Sequence, residues 1–288
     1  MNSHKKTHGL GLLAILAIPV MVSASATEYL SQYHAIVLGD FNGTTHVHGT
    51  SYIGGSITNG GALDFAVDLH HHAADGQILL TLGGSYVNRP NNLSGHIGTT
   101  DSATTLTMSQ QLKEYATQLS LLSGTTLNTL NGVTINHTAG VNIQAFSITK
   151  DVFEADNMNF TFSSLDDDDY IVFNVSDADL AMSNSANFNY SNAIDWSHVI
   201  WNFHEAENLS LKGFYGNILA PYATLTLSND LHGNVTADQL NGYGQIHING
   251  DPYLPEMTST VPAPSAVIMA GLGVLTMAVL RRRAIPSA

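Results

Sequence analysis

Between residues 213 and 250, short apolar-alternating runs are broken by Gly, Asn and Asp at nearly regular spacing. This rhythm limits what the chain can become more than any other stretch of it. A helix needs a sustained period near 3.6, whereas alternation with period 2 puts every second side chain on one face of a strand. Leu225 and Leu227 are therefore expected inside, with Thr224, Thr226 and Ser228 outside. Gly216-Asn217-Ile218-Leu219-Ala220 recurs seventeen residues later as Gly233-Asn234-Val235-Thr236-Ala237, and Leu225-Thr226-Leu227 recurs twenty-one residues later as Ile246-His247-Ile248. Each unit reads as one turn of a β-solenoid. A single turn cannot bury its own inner face, so it must stack on neighbours.

The same rhythm is expected at residues 33–41, 45–49, 52–57, 62–68 and 77–82, and again at 132–136, 141–148, 159–162, 170–175, 180–182, 197–203 and 205–211. One segment breaks it. Over residues 107–123 the apolar positions Met108, Leu112, Tyr115, Ala116, Leu119 and Leu122 fall at helical offsets, with Thr107 and Gln110 as a capping box and Gly124 as the stop. The predicted class is all-β: a β-solenoid body with one amphipathic α-helix packed along its flank, an N-terminal signal peptide and a C-terminal hydrophobic helix. Trp196 and Trp201 are expected to pack at a coil end or against the helix.

Both chain ends read as addresses. Lys5 and Lys6 precede an apolar run over residues 10–22, and Ala24-Ser25-Ala26 closes it with the small-x-small pattern of a signal peptidase site. Residues 1–26 are thus the expected signal peptide, 27–250 the body, 251–260 a Pro-containing linker and 261–283 a sorting or membrane segment. That last segment has fifteen uncharged residues, 266–280, followed by Arg281, Arg282 and Arg283. At 1.5 Å per residue the run spans about 22 Å, short of the roughly 30 Å hydrocarbon core unless its flanks contribute. The arginines fix a cytoplasmic C-terminus.

Charge narrows the partners. Between residues 27 and 260 the basic side chains are Arg89, Lys113, Lys150 and Lys212, four against all 23 carboxylates, a net −19. Such a body repels phosphate backbones, so no nucleic-acid partner is expected. The chain has no cysteine, which removes disulfides and thiol chemistry.

No catalytic motif survives inspection. His204-Glu205-x-x-Asn208 lacks the second His of a zinc protease. His70, His71 and His72 fit an exposed loop better than a metal site, because neighbours on extended backbone alternate faces. His46 and His48 share a face but lack an identified third ligand. Asp166, Asp167, Asp168 and Asp169 could attract Ca2+, yet the Gly turn of a calcium loop is missing and a solvated acidic turn is the simpler reading. No cofactor or metal is expected, and the predicted catalytic set is empty. A carboxylate pair for glycoside hydrolysis stays open, since it requires only a suitable separation.

Two resemblances add to this. Val261-Pro262-Ala263-Pro264, the apolar run and Arg281-Arg282-Arg283 resemble the PEP-CTERM sorting signal, with Ala263 where the most typical motif has Glu. The resemblance implies a Gram-negative host, transient residence in the inner membrane and an exosortase as processing partner. The body, over about residues 29–250, resembles the choice-of-anchor A family of surface-adhesive domains. The carrying residues are Tyr33, Leu38-Gly39-Asp40-Phe41, Gly54-Gly55, Val199-Ile200-Trp201-Asn202-Phe203 with Glu205-Ala206, and Gly216-Asn217-Ile218-Leu219-Ala220-Pro221 with Ala223. The resemblance implies a β-solenoid with a flanking helix, similar in plan to bacterial ice-binding domains.

Three functions follow in order of expectation. First is a secreted, surface-sorted, non-enzymatic adhesive or structural matrix protein whose partner is an exopolysaccharide or other surface ligand. Second is a polysaccharide-active solenoid enzyme. Third is ice binding, placed last because Thr224 and Thr226 are given Gln245 and His247 as their neighbours on the next coil, which breaks the Thr array.

Overall fold

The computed structural model describes residues 25–59, 63–122, 124–138, 140–155, 157–162, 169–182, 187–190 and 196–248. After helix α1 (Ala26–Gln32), the first coils comprise β1 (Ala35–Val37), β2 (Phe41–Gly43), β3 (His46–Val47), β4 (Ser51–Ile53), β5 (Asp64–Phe65), β6 (Leu80–Leu82) and β7 (Ile97–Thr99). Helix α2 (Ser102–Ser120) then leads to β8 (Gly124–Leu127), β9 (Val133–Ile135) and β10 (Ile143–Ile148), the short helix α3 (Asp151–Glu154), β11 (Asn157–Phe162), β12 (Tyr170–Val175), β13 (Asp179–Ala181) and β14 (Asn187–Tyr190). The last coils are β15 (Val199–Asn202), β16 (Asn208–Leu211), β17 (Phe214–Tyr215), β18 (Asn217–Leu227), β19 (Leu231–His232), β20 (Val235–Gly242) and β21 (Ile246–His247).

Every strand pair is parallel, and the strands stack in columns. The first column runs β7-β6-β4-β1-β20-β18-β15-β12-β10-β8. Chain order is broken at its middle. The N-terminal coil docks on the C-terminal one, with Ala35, Ile36 and Val37 beside Val235, Thr236 and Ala237. A chain wound this way must return from β7 at one end to β8 at the other, and α2 makes that return. Its nineteen residues cover about 28 Å, and its flanking connections supply the rest of nine strand spacings, about 43 Å in all.

The strands β1, β4, β12 and β15 of the first column are buried on both faces, as parallel strands covered by a helix must be. Ile36, Tyr52, Val172, Ile200 and Leu219 point outward to meet Met108, Leu112, Tyr115, Ala116 and Leu119 of α2. Ala35, Val37, Ile171, Phe173, Val199 and Trp201 point inward to the main core. The helix is the one expected, but its ends differ. Asp101 caps it, its carboxylate accepting from Thr104 N at 2.7 Å, so it starts five residues before Thr107. That same backbone hydrogen bond holds the Asp101 carboxyl below its ordinary pKa. Gly124 is not the stop. It opens β8, where a Cβ would lie 2.0 Å from the Ala145 carbonyl oxygen. Helices α1 and α3 were not anticipated. The expected strand over residues 33–41 is two strands, divided by a bend in which Asp40 Oδ1 accepts from Ser56 N at 2.7 Å.

The Gly-Asn repeat is in register as read: Ile218, Leu219 and Ala220 pair with Val235, Thr236 and Ala237. At this corner Asn217 Nδ2 donates to Ser197 O at 2.6 Å, and Asn217 Oδ1 accepts from Asn234 Nδ2 at 2.9 Å. Gly233 has φ +152, and a Cβ there would stand 2.2 Å from the Gly216 carbonyl oxygen. The second repeat is corrected. Leu225, Thr226 and Leu227 pair with Leu240, Asn241 and Gly242, whereas Ile246 and His247 pair with Leu231 and His232 in another column. The coil therefore closes earlier than the sequence match implied. Trp196 and Trp201 lie in the interior core and not against α2. The expected C-terminal helix, with the rest of residues 249–288, lies outside the described residues.

Candidate functional site

Among the described residues no helix packs on the outward face of the second column, since α2 meets residues of the first. The latter half of β18 continues into it beyond a register shift between Ala220 and Thr224, and there it joins β13, β16, the latter half of β20 and β2. Leu180, Leu209, Leu225, Leu240 and Phe41 point into the core from this column. Their neighbours point out and form two rows. One row is Asp179, Asn208, Thr224 and Gln239; the other is Ala181, Ser210, Thr226, Asn241 and Asn42. Adjacent rungs lie about 4.8 Å apart, and the two rows about 6.7 Å apart, two residues of strand rise. Within the rows Asn42 Nδ2 donates to Asn241 Oδ1 at 3.3 Å, and Asn208 Nδ2 donates to Asp179 Oδ1 at 2.7 Å.

Two carboxylates border these rows, Asp179 on the outermost rung and Asp40, which the register of β2 sets beside Gln239 and whose Oδ1 accepts from Ser56 N. Between Asp179 and Asn42 the surface offers hydroxyls, amides and one methyl, carried on backbone that the sheet holds in place. Pre-ordered groups lose little freedom on binding, and uncharged ones hold hydration water weakly, so the face suits an extended, ordered, uncharged surface. The alternation of Leu225 and Leu227 with Thr224, Thr226 and Ser228 makes Thr224 and Thr226 legible as outward residues. Asn208, Ser210, Gln239, Asn241 and Asn42 were missed, because the offsets that align them, fifteen and sixteen residues among the later coils, differ from the seventeen of the Gly-Asn repeat.

The third column carries rings. Tyr215 and His232 stack at 4.7 Å and 7°, His232 and His247 at 4.7 Å and 12°, and His247 meets His48 at 4.4 Å. Burial, then the neighbouring His247, lowers the His232 pKa below its ordinary 6.5, against the opposing pull of Asp230. His46 Nδ1 lies 2.8 Å from Asp64 Oδ2, and His48 Nδ1 lies 2.8 Å from Asp68 Oδ2. The shared face of His46 and His48 is thus real, and each has its own carboxylate. Among the described residues no group of three His, Asp or Glu is placed to hold a metal ion.

The other expected sites are scattered. His70, His71 and His72 lie in a turn after β5, with His71 and His72 exposed. Asp169 is corrected from a solvated turn to a buried residue, with Oδ2 3.1 Å from His137 Nδ1. Asp166, Asp167 and Asp168 lie outside the described residues. His204 and Glu205 sit in a turn between β15 and β16 and not on a helix. Ala26 is buried at the start of α1, which Ser25 caps by accepting from Glu28 N at 3.3 Å. Ala24, Val261, Pro262, Ala263, Pro264, Arg281, Arg282 and Arg283 lie outside the described residues. No described helix is long and apolar enough to cross a membrane.

A family profile described as "Putative Ice-binding-like adhesive domain" matches residues 26–109 and 80–248. Solved structures that resemble the chain include an ice-binding protein from the Antarctic ascomycete Antarctomyces psychrotrophicus, at 13% identity over 77% of this chain and 96% of that chain, with a TM-score of 0.47. An ice-binding protein of an Arctic yeast gives 11% identity over 82% and 97%, TM-score 0.45. The ice-binding protein domain of Shewanella frigidimarina gives 12% identity over 78% and 96%, TM-score 0.43. Among curated protein sequences none matches. The family match overturns the order expected from sequence, in which an adhesive or structural matrix protein came first and ice binding last. The physical source of that error is the register: Thr226 was set beside His247, but its neighbour on the next coil is Asn241.

Proposed function

Because the chain belongs to the ice-binding-like adhesive domain family, we propose that it binds ice through the two outward rows of the second column. The observation that carries this reading is the in-register, uncharged ladder from Asn208 and Ser210 through Thr224, Thr226, Gln239 and Asn241 to Asn42. Each group contributes little alone. Held on one rigid sheet, they meet a crystal surface together, and the ordering cost has already been met by folding. In this reading the domain is a binder and not an enzyme.

Partition of the purified chain into slowly growing ice tests it. Wild type is expected in the ice fraction. Thr226→Tyr raises a ring at the centre of the ladder and is expected to weaken partition roughly thirtyfold, the scale of about 2 kcal/mol for a central contact. Its surface position predicts a melting profile within about 0.5 kcal/mol of wild type. A wild-type chain that stays in the liquid sinks the reading.

The export route belongs to the same proposal: residues 1–26 as signal peptide, and residues 261–283 as a PEP-CTERM-type tail on a choice-of-anchor A-like body, trimmed by an exosortase. The intact mass of the chain recovered from its native host is expected to correspond to a start at Thr27 and a missing tail. A mass for all 288 residues would rule out processing at both ends.

A further inference from the structure

The C-terminal end of α2 leaves part of the first column bare. Thr126, Ser147 and Asn174 are aligned there on three successive strands. They form the floor of a cavity of about 520 Å3 walled by Ser120 of the helix and by His204. A second cavity of about 370 Å3 shares Ser120 and His204 and extends to Tyr222. Together they make one polar groove running along the solenoid axis, beside the ladder face and separate from it.

Its chemistry is specific. Tyr222 stands at one end, 43% exposed, with Lys113 Nζ 4.8 Å from the ring centroid. An exposed aromatic ring beside a hydroxyl-bearing floor offers an apolar plane and hydrogen-bonding partners together. Thr149 Oγ1 in the wall is buried without a hydrogen-bond partner among the described residues. The rim is acidic: Asp151 and Asp177 border the larger cavity, Glu205 and Glu207 the smaller. Lys150 lies 3.8 Å from Glu154, which offsets much of its charge.

We propose that this groove binds an extended oligosaccharide of neutral or amine-bearing sugars, with Tyr222 stacking on a ring at one end and the Thr126 and Ser147 hydroxyls reading sugar hydroxyls at the other, on a floor that Asn174 braces from beneath. The acidic rim excludes uronate chains by like-charge repulsion.

Titration calorimetry on the full chain tests this with three probes: an N-acetylglucosamine hexamer, the corresponding glucosamine hexamer and a galacturonate hexamer. The first two are expected to bind and the third not. Tyr222→Ala is expected to weaken both about tenfold, the loss of one aromatic contact, and Tyr222→Phe to restore them. Glu207→Gln is expected to weaken the glucosamine hexamer alone. Absence of binding by both aminosugar oligomers overturns the proposal. So does galacturonate binding as well as they do, which would mean that the acidic rim does not select, or a Tyr222→Ala chain that retains wild-type affinity, which would mean that Tyr222 does not stack on the sugar. Ice partition by the Tyr222→Ala chain is expected to be unchanged, so the groove and the ladder fail independently.

Discussion

Trp201→Ala is expected to destabilise the domain by about 3–5 kcal/mol, a large part of the 5–15 kcal/mol that holds an ordinary domain folded. Trp201 is fully buried, and it joins coils that are distant in sequence. Its ring centroid lies 4.3 Å from that of Phe173 on β12, 5.0 Å from Phe214 on β17, 6.1 Å from Phe153 on α3 and 6.4 Å from Phe160 on β11. Its Nε1 donates to Tyr215 O at 2.9 Å. Deleting the indole removes both the burial and the hydrogen bond, and it opens a cavity between rigid strands that cannot close around it. Trp201→Phe keeps most of the apolar volume and is expected to cost about half as much or less. Urea unfolding of the three chains at pH 7 measures both differences. A loss under about 1.5 kcal/mol for the Ala chain would show that the coils collapse into the space, and would contradict a core fixed by its sheet columns.

The inward and outward assignment at Leu225, Thr226 and Leu227 was legible, because strand alternation is local and burial on one side leaves a period of 2. The hydrophobic face of α2 was legible for the same reason, and its start was missed because a single carboxylate at Asp101 outranked a Thr five residues into the helix. Spatial order was not legible. The seam that sets Ala35 beside Val235 joins residues from opposite ends of the body, and no periodicity within either coil records which coil it will meet. The candidate site depends on that order. Asn42 enters the ladder only because the first coil docks on the last, through Asn241. The groove depends on where α2 stops, which leaves Thr126 and Ser147 uncovered while Ile200 and Leu219 are covered.

The strap formed by α2 leads to the second large effect. Asn174→Asp is expected to cost about 3 kcal/mol or more at pH 7 and to recover part of that loss on acidification. Asn174 is 6% exposed, its Nδ2 donates to the Leu119 carbonyl at 2.9 Å, and its Oδ1 accepts from Asn202 Nδ2 at 2.8 Å. Asn202 Nδ2 also donates to the Ala116 carbonyl at 2.8 Å, so the two amides tie the last turns of α2 to β12 and β15. A carboxylate at position 174 keeps the bond from Asn202 but points a charge at the Leu119 carbonyl, near the negative end of the helix dipole. Desolvation and that repulsion both raise the folded-state pKa of the new carboxyl above its unfolded value near 3.9. The folded chain then binds more protons than the unfolded chain between those two values, so relative stability falls as pH rises through the folded pKa and recovers as pH drops below it. Protonation also restores a donor toward Leu119. Thermal melts of wild type and Asn174→Asp at pH 7.5, 6.0 and 5.0 should show the gap narrowing toward acid. A gap that stays constant over that range would mean the carboxylate finds solvent or a cation, and that the helix is held at this end by apolar contact with Ala116 and Leu119 alone.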